Sequence, residues 1–376
     1  MSILGQPGNS INPNSIVFAY PGLDPDLRLR VLDVEYHVHS AVSKHYSYYF
    51  RQFLDSPDKP VGPASALFYY DYVSVFDDDG LDWSLQPVSK TFRRPNSSPD
   101  FDSVTESEAF GKYLCALYTR PYVIKSCKEL TVMTRIADYY CTLPILSSSL
   151  TAALFKSPVF DVGDPLVGDE KSLDSFEAMI SISQKLHHAE LFRECFIQIV
   201  SLWRPGNIRS CELLERDSQL FTLIQSAYLN LAEDVLRVQR DVMFASLENK
   251  LLTINITELL VSLVRNYEPE NVTNPLRNAS YFRKLKEAIE RIINNHTFGS
   301  DIAEALLQDK EHLRTSELWQ RLMESIKDLL MNNLRFTKPR DLSVEHPYYG
   351  SVYGDEFLCA TISDEDLPWD RTVVDW

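Results

Sequence analysis

His37 and His39 stand two apart in a segment that alternates like a β-strand, so both side chains could face one side and grip a metal. No third ligand stands out nearby to complete such a site. Asp77-Asp78-Asp79-Gly80 opens like a calcium loop, but the twelfth position, where a closing acid belongs, is Val88, so the stretch reads as a solvated acidic turn. His187 and His188 are neighbours on a helical segment, point to different sides and read as surface residues. Acid pairs such as Glu106/Glu108 and the run Asp364-Glu365-Asp366 are what an acidic chain supplies by chance. The sequence contains no phosphate-cradling glycine loop, no GxSxG elbow and no HExxH helix. Its six cysteines, at 115, 127, 141, 195, 211 and 359, form no CxxC pair and read as reduced structural thiols. No catalytic residue, cofactor site or metal site is therefore assigned, and a binding protein is favoured over an enzyme.

Those residues sit in a chain of 376, long enough for more than one domain and for a core that needs no disulfide or metal staple. A hydrophobic content of 44% argues against wholesale disorder. The net charge of −16 disfavours a nucleic-acid binder, which needs clustered Lys and Arg to neutralise phosphate. The last 36 residues hold one Arg against nine acids, so much of the excess falls in a terminal segment that reads as a solvated tail or a docking strip. No basic leader precedes Asp24 and no apolar stretch approaches the ~20 residues of a membrane span, which leads us to expect an intracellular protein, cytoplasmic or nuclear, away from membranes.

Four segments are expected. Residues 1–23 form an arm broken by Gly and Pro, with a short strand over 15–20. In residues 24–156, Leu27, Leu29 and Val31 alternate with Arg28 and Arg30, and a turn at Asp33 and Val34 leads into a second strand, giving a hairpin. Val42, Tyr46, Tyr49, Phe50 and Phe53 make one face of a helical segment, and 66–75 reads as a strand. Residues 77–105 have loop composition, an insertion expected to be mobile and dispensable for folding. Residues 170–340 read as an all-helical domain, in which Leu220, Ile224, Ala227, Leu231, Val235, Val238, Val242 and Ala245 mark a bundle helix in preference to a coiled coil. Residues 341–376 are an acidic tail rich in aromatics, expected to dock on the protein's own helices.

Residues 26–53 carry a resemblance. Asp26-Leu27-Arg28-Leu29-Arg30-Val31, then Tyr36-His37-Val38-His39, then Ser47-Tyr48-Tyr49-Phe50, resemble the opening of a BTB/POZ domain, in which an Asp precedes an alternating strand, a His marks a strand-to-helix junction and a helix carries Ser-x-x-Phe. Ser107-Glu108-Ala109-Phe110 with Leu114 and Leu117-Tyr118-Thr119, followed by 130–140, is similar to the family's later helices. The likeness is nearest to divergent fungal-type members with a helical C-terminal extension. It implies an α/β BTB/POZ-like domain followed by an all-α region, with Asp26, His39, Ser47 and Phe50 mainly structural. Many members carry a basic residue after the junction His, paired with the opening Asp at a dimer pocket; this chain has Ser40 there.

The resemblance also implies a non-enzymatic protein-interaction module, a substrate adaptor joining an unknown client to a cullin-type ubiquitin-ligase scaffold. The family's cullin contact uses a hydrophobic-x-Glu step before a helix. The nearest match is Val104-Thr105-Glu106, which with Phe110 forms the expected interaction surface. A self-associating scaffold or transcription-linked regulator is the alternative, and a divergent helical enzyme a weaker one. A monomer is favoured over a homodimer, because residues 1–23 are too rich in Gly and Pro for the extra N-terminal helix of dimeric members.

Overall fold

A computed structural model describes residues 15–56, 67–88, 97–160, 173–202, 217–248, 279–294, 317–337 and 358–373. The chain divides into two compact units. One gathers Met1–Val159 with Gln184–His188 and Arg371–Trp376; the other takes Phe160–Ser183 and Ala189–Asp370. A small mixed sheet near the N-terminus is followed mostly by helices.

The first unit is built on strands β1 (Ser15–Val17), β2 (Leu27–Val31), β3 (Val34–Val38), β4 (Tyr70–Phe76) and β5 (Trp83–Pro87), in the order β1-β3-β2-β4-β5. β2 and β3 form the expected antiparallel hairpin, β2 and β4 run parallel, and β5 returns antiparallel to β4. The period of two sorts the side chains by face. Leu27, Leu29, Val31, Tyr36 and Val38 are buried on one side, while Arg28, Arg30, Glu35, His37 and Asp71 share the other. The hairpin turn falls one residue earlier than expected. Leu32 takes the left-handed φ of 54°, its N–H donates to Ser74 Oγ at 2.8 Å, and Val34 already belongs to β3.

The expected helical face over 42–53 is split in two, α1 (Ser40–Tyr46) and α2 (Tyr48–Phe53). Ser47 breaks it with an extended backbone and caps α2, its Oγ accepting the Phe50 N–H at 3.0 Å. Residues 77–105 correct the reading of one mobile loop. Trp83–Pro87 is a strand whose residues 83, 85 and 87 are buried, and Ser103 already begins a helix. Five residues flanked by polar neighbours give too short an alternation to stand out.

Three helices complete this unit: α3 (Ser103–Leu117), α4 (Cys127–Tyr139) and α5 (Leu143–Leu154). Asp102 and Ser126 cap the first two, accepting the Thr105 and Glu129 N–H groups, and Pro144 lies in the first turn of α5 as expected. Phe110 of α3 packs on the sheet, with ring centroids 5.5 Å from Tyr36 and 5.7 Å from Trp83.

Helices α6 (Leu173–Lys185), α7 (Ala189–Leu202), α8 (Ser218–Glu248), α9 (Ala279–Asn294) and α10 (Glu317–Leu329) follow. The periodic residues Leu220, Ile224, Leu231, Val235, Val238 and Val242 are the buried stripe of α8, joined by Tyr228. Within the second unit the described part of the acidic tail is not a free strip. Leu358, Ala360 and Leu367 are buried, Asp364 pairs with Arg193, and Trp369 meets Phe192 edge-on at 5.4 Å. Tyr348, Tyr349, Tyr353, Phe357 and Trp376 lie outside the described residues. The buried Glu194 carboxylate gathers the N–H groups of Arg335, Phe336 and Thr337 at 2.7, 3.1 and 2.8 Å. Among the described residues no helix is long and apolar enough to cross a membrane.

Candidate protein-interaction surface

The motif residues of the N-terminal unit are turned inward. Asp26 accepts both the backbone N–H and the hydroxyl of Ser40 at 2.6 Å each, so Ser40 takes up the carboxylate in place of a basic residue. His39 is fully buried at the β3–α1 junction. Its Nε2 lies 3.0 Å from the Leu23 carbonyl, which requires Nε2 to donate, and its Nδ1 lies 2.9 Å from the Tyr118 hydroxyl. The same hydroxyl accepts the His39 backbone N–H at 2.7 Å, and burial pushes the Tyr118 phenol up to about 12. Ser47 Oγ donates to the Tyr140 carbonyl at 2.6 Å, and Phe50 stacks on the Tyr140 ring at 4.9 Å. His39, Ser47 and Phe50 are buried and Asp26 is half-buried, and their contacts hold the sheet to the helices.

The start of α3 is different. Asp102 closes its first turn, accepting from Thr105 N at 3.1 Å and Thr105 Oγ1 at 2.7 Å, while Lys128 reaches it from α4 at 2.8 Å. The Lys128 and Thr105 donors hold its carboxyl well below the usual range. Val104, two residues on, is 68% exposed on the first turn of α3. Glu106 points the other way. It is buried, accepts from Trp83 Nε1 at 2.9 Å and pairs with Arg135 at 2.6 Å. Phe110 is wholly inside. Of Val104, Glu106 and Phe110, only Val104 is presented to solvent, while Glu106 and Phe110 fix the helix that presents it.

Trp83 and Arg135 also line a cleft of about 230 Å³, together with Asp77, Asp82, Tyr139 and Tyr140. Arg135 bridges the two features, with Glu106 on one side and Asp82 at 2.9 Å on the other. Tyr139 is half-exposed at its wall, beside Tyr49 at 5.4 Å. Sequence reasoning passed over Trp83, Arg135 and Tyr139. Trp83 was hidden in polar loop composition, and the carboxylate partner of Arg135 lies 29 residues away.

The two histidine pairs also find other company. His37 lies 2.7 Å from Glu35, not beside His39, and Phe68 covers its ring at 4.6 Å. His188 corrects the surface reading: it is buried, with Nε2 3.0 Å from Thr151 Oγ1, in the turn after α6 where His187 adopts a left-handed φ of 48°. Among the described residues no three His, Cys, Asp or Glu side chains are grouped to hold a metal. A separate cleft of about 340 Å³ in the second unit is lined by the Asp234–Arg237 pair, Asp328 and Cys359, whose thiol is pushed up by burial, the reverse of an activated nucleophile. The chain matches no protein-family model, no curated protein and no solved structure.

Proposed function

We propose that this chain is a non-enzymatic protein-interaction module, with a BTB/POZ-like N-terminal unit that docks a cullin-type scaffold and a helical region that serves a client. The observation that carries this reading is Val104. It is an exposed apolar side chain on the first turn of a helix whose orientation is set by the Asp102 cap and by the Glu106–Arg135–Trp83 contacts. An anchor on a pre-organised element binds with little ordering cost, which is how a few residues come to dominate an interface. The resemblance at Asp26, His39 and Ser47 supports the reading, because each is spent on the strand-to-helix junction that the family's pattern implies. A separate cleft between Trp83 and Tyr139, on the Glu106 side of α3, has aromatic walls, a composition favoured at the centre of interfaces.

The reading is tested by mixing the purified full chain with a cullin N-terminal domain from the same organism and separating the mixture by size. Co-elution is expected, and Val104→Asp is expected to weaken it. Independent elution of the two wild-type proteins at concentrations of about 10 µM counts against a scaffold-docking role.

A further inference from the structure

Helix α8 has a second apolar stripe. Its buried face runs through Leu220, Ile224, Leu231, Val235, Val238 and Val242. On another side of the same helix Leu229, Leu236 and Met243 are exposed at 58%, 64% and 69%. They are spaced by sevens, so they form one line along the helix about 21 Å long. Three large exposed side chains spaced by sevens on a continuous helix supply one of the two apolar positions per heptad that a helix–helix seam uses.

What flanks the stripe identifies its occupant. Glu233 and Arg240 lie along one margin and are exposed; Ala232 and Gln239 lie along the other. If a second copy of α8 lies antiparallel with its two-fold axis through Leu236, Leu229 of one copy meets Met243 of the other. Glu233 then comes within one residue, about 1.5 Å along the axis, of the level of Arg240 on the same margin of the other copy. That is within reach of a long side chain, and by symmetry the ion pair forms twice. Ala232 and Gln239 on the opposite margin bring no charge to the contact. A parallel pairing in register matches neither Glu233 nor Arg240 with an opposite charge. Within the chain, Arg237 is 2.9 Å from Asp234 but 3.9 Å from Glu233. Arg240 contacts Asp241 through Nε and one terminal nitrogen at 3.1 Å, which leaves further donors on its guanidinium.

We infer that α8 is a self-association surface, on which two copies of this chain pair antiparallel through Leu229, Leu236 and Met243, in register set by Glu233 and Arg240. The contact is isologous and closes on itself, so it makes a dimer and not a fibre. Three apolar layers fall short of a standard interface, so the dimer is weak, with a dissociation constant on the order of 10–100 µM. The inference is independent of the surface at Val104, and the N-terminal arm plays no part in it.

Sedimentation equilibrium of the full chain from about 1 to 300 µM tests it, that range bracketing the expected constant. Wild type is expected to pass reversibly from monomer to dimer. Leu236→Asp, which brings two charges together on the axis, is expected to weaken the dimer at least about tenfold with an unchanged melting curve. Glu233→Arg and Arg240→Glu are each expected to weaken it alone, to form a tighter heterodimer when mixed, and to restore self-association when combined in one chain. A chain that stays monomeric throughout overturns the inference. So does a dimer that Leu236→Asp and the charge exchanges leave unchanged.

Discussion

Glu106 and Val104 are two residues apart and are expected to answer opposite questions. Glu106→Gln removes the charge that Trp83 Nε1 and Arg135 share, and is expected to cost about 1–2 kcal/mol of stability in thermal or denaturant unfolding, below the value for a fully buried pair because Arg135 is partly in water. Val104→Asp changes only an exposed position and is expected to leave the melting curve in place. Asp102 supplies a pH signature. Its carboxyl is depressed below the ordinary 3.8 by Lys128 and Thr105, so its stabilisation is complete above that value and is lost as the pH falls through the folded value. Asp102→Asn keeps a capping oxygen but not the charge. Its melting temperature is expected to lie below wild type near neutrality and to converge on it below about pH 3.8, as linkage requires. A gap that stays constant with pH would mean that the charge contributes nothing. At this scale the sequence identified positions better than partners. Asp26, His39 and Ser47 stood out as junction residues, but Tyr118 lies 79 residues from His39 and the Tyr140 carbonyl 93 from Ser47. Only folding brings them together.

Among the elements, those with long periods were legible. The buried stripe of α8 follows a spacing of threes and fours over several turns, and the β2–β3 hairpin follows its alternation. Short elements and breaks were not. β5 has five residues, and the split between α1 and α2 depends on one serine whose hydroxyl is needed by both Phe50 and Tyr140. The observed β5 reverses an expectation about 77–105. Exchange of the stretch for a short Gly/Ser link removes Trp83 and Leu85 from the core and is expected to abolish cooperative melting. A milder test is Leu85→Ala, which is 1% exposed and is expected to cost about 2–4 kcal/mol in denaturant unfolding. Retention of wild-type stability by that variant would show that β5 adds nothing to the fold.

Across the whole chain, aromatic content was a better guide to the tail than charge was, and the described part of 341–376 docks as expected. Nine acids in the last 36 residues suggest a solvated strip, yet the described part of that segment buries Leu358, Ala360 and Leu367 and sets Trp369 against Phe192. Apolar residues dispersed among acids carry no period, so their docking was argued only from the number of aromatics. Truncation after Arg340 is expected to lower the melting temperature of the chain, and an unchanged melting temperature would return the tail to the role of a partner strip. The composition did convey the change from a small mixed sheet to helices, because strand and helix periods replace one another along the chain.

The most direct test of the central claim is a calorimetric titration of the cullin N-terminal domain into wild-type protein and into Val104→Asp, with melting curves recorded for both. The account predicts saturable binding by wild type and a loss of about 2 kcal/mol or more, roughly thirtyfold in affinity, for the variant at an unchanged melting temperature. No binding by wild type, or equal binding by the two proteins, would contradict it.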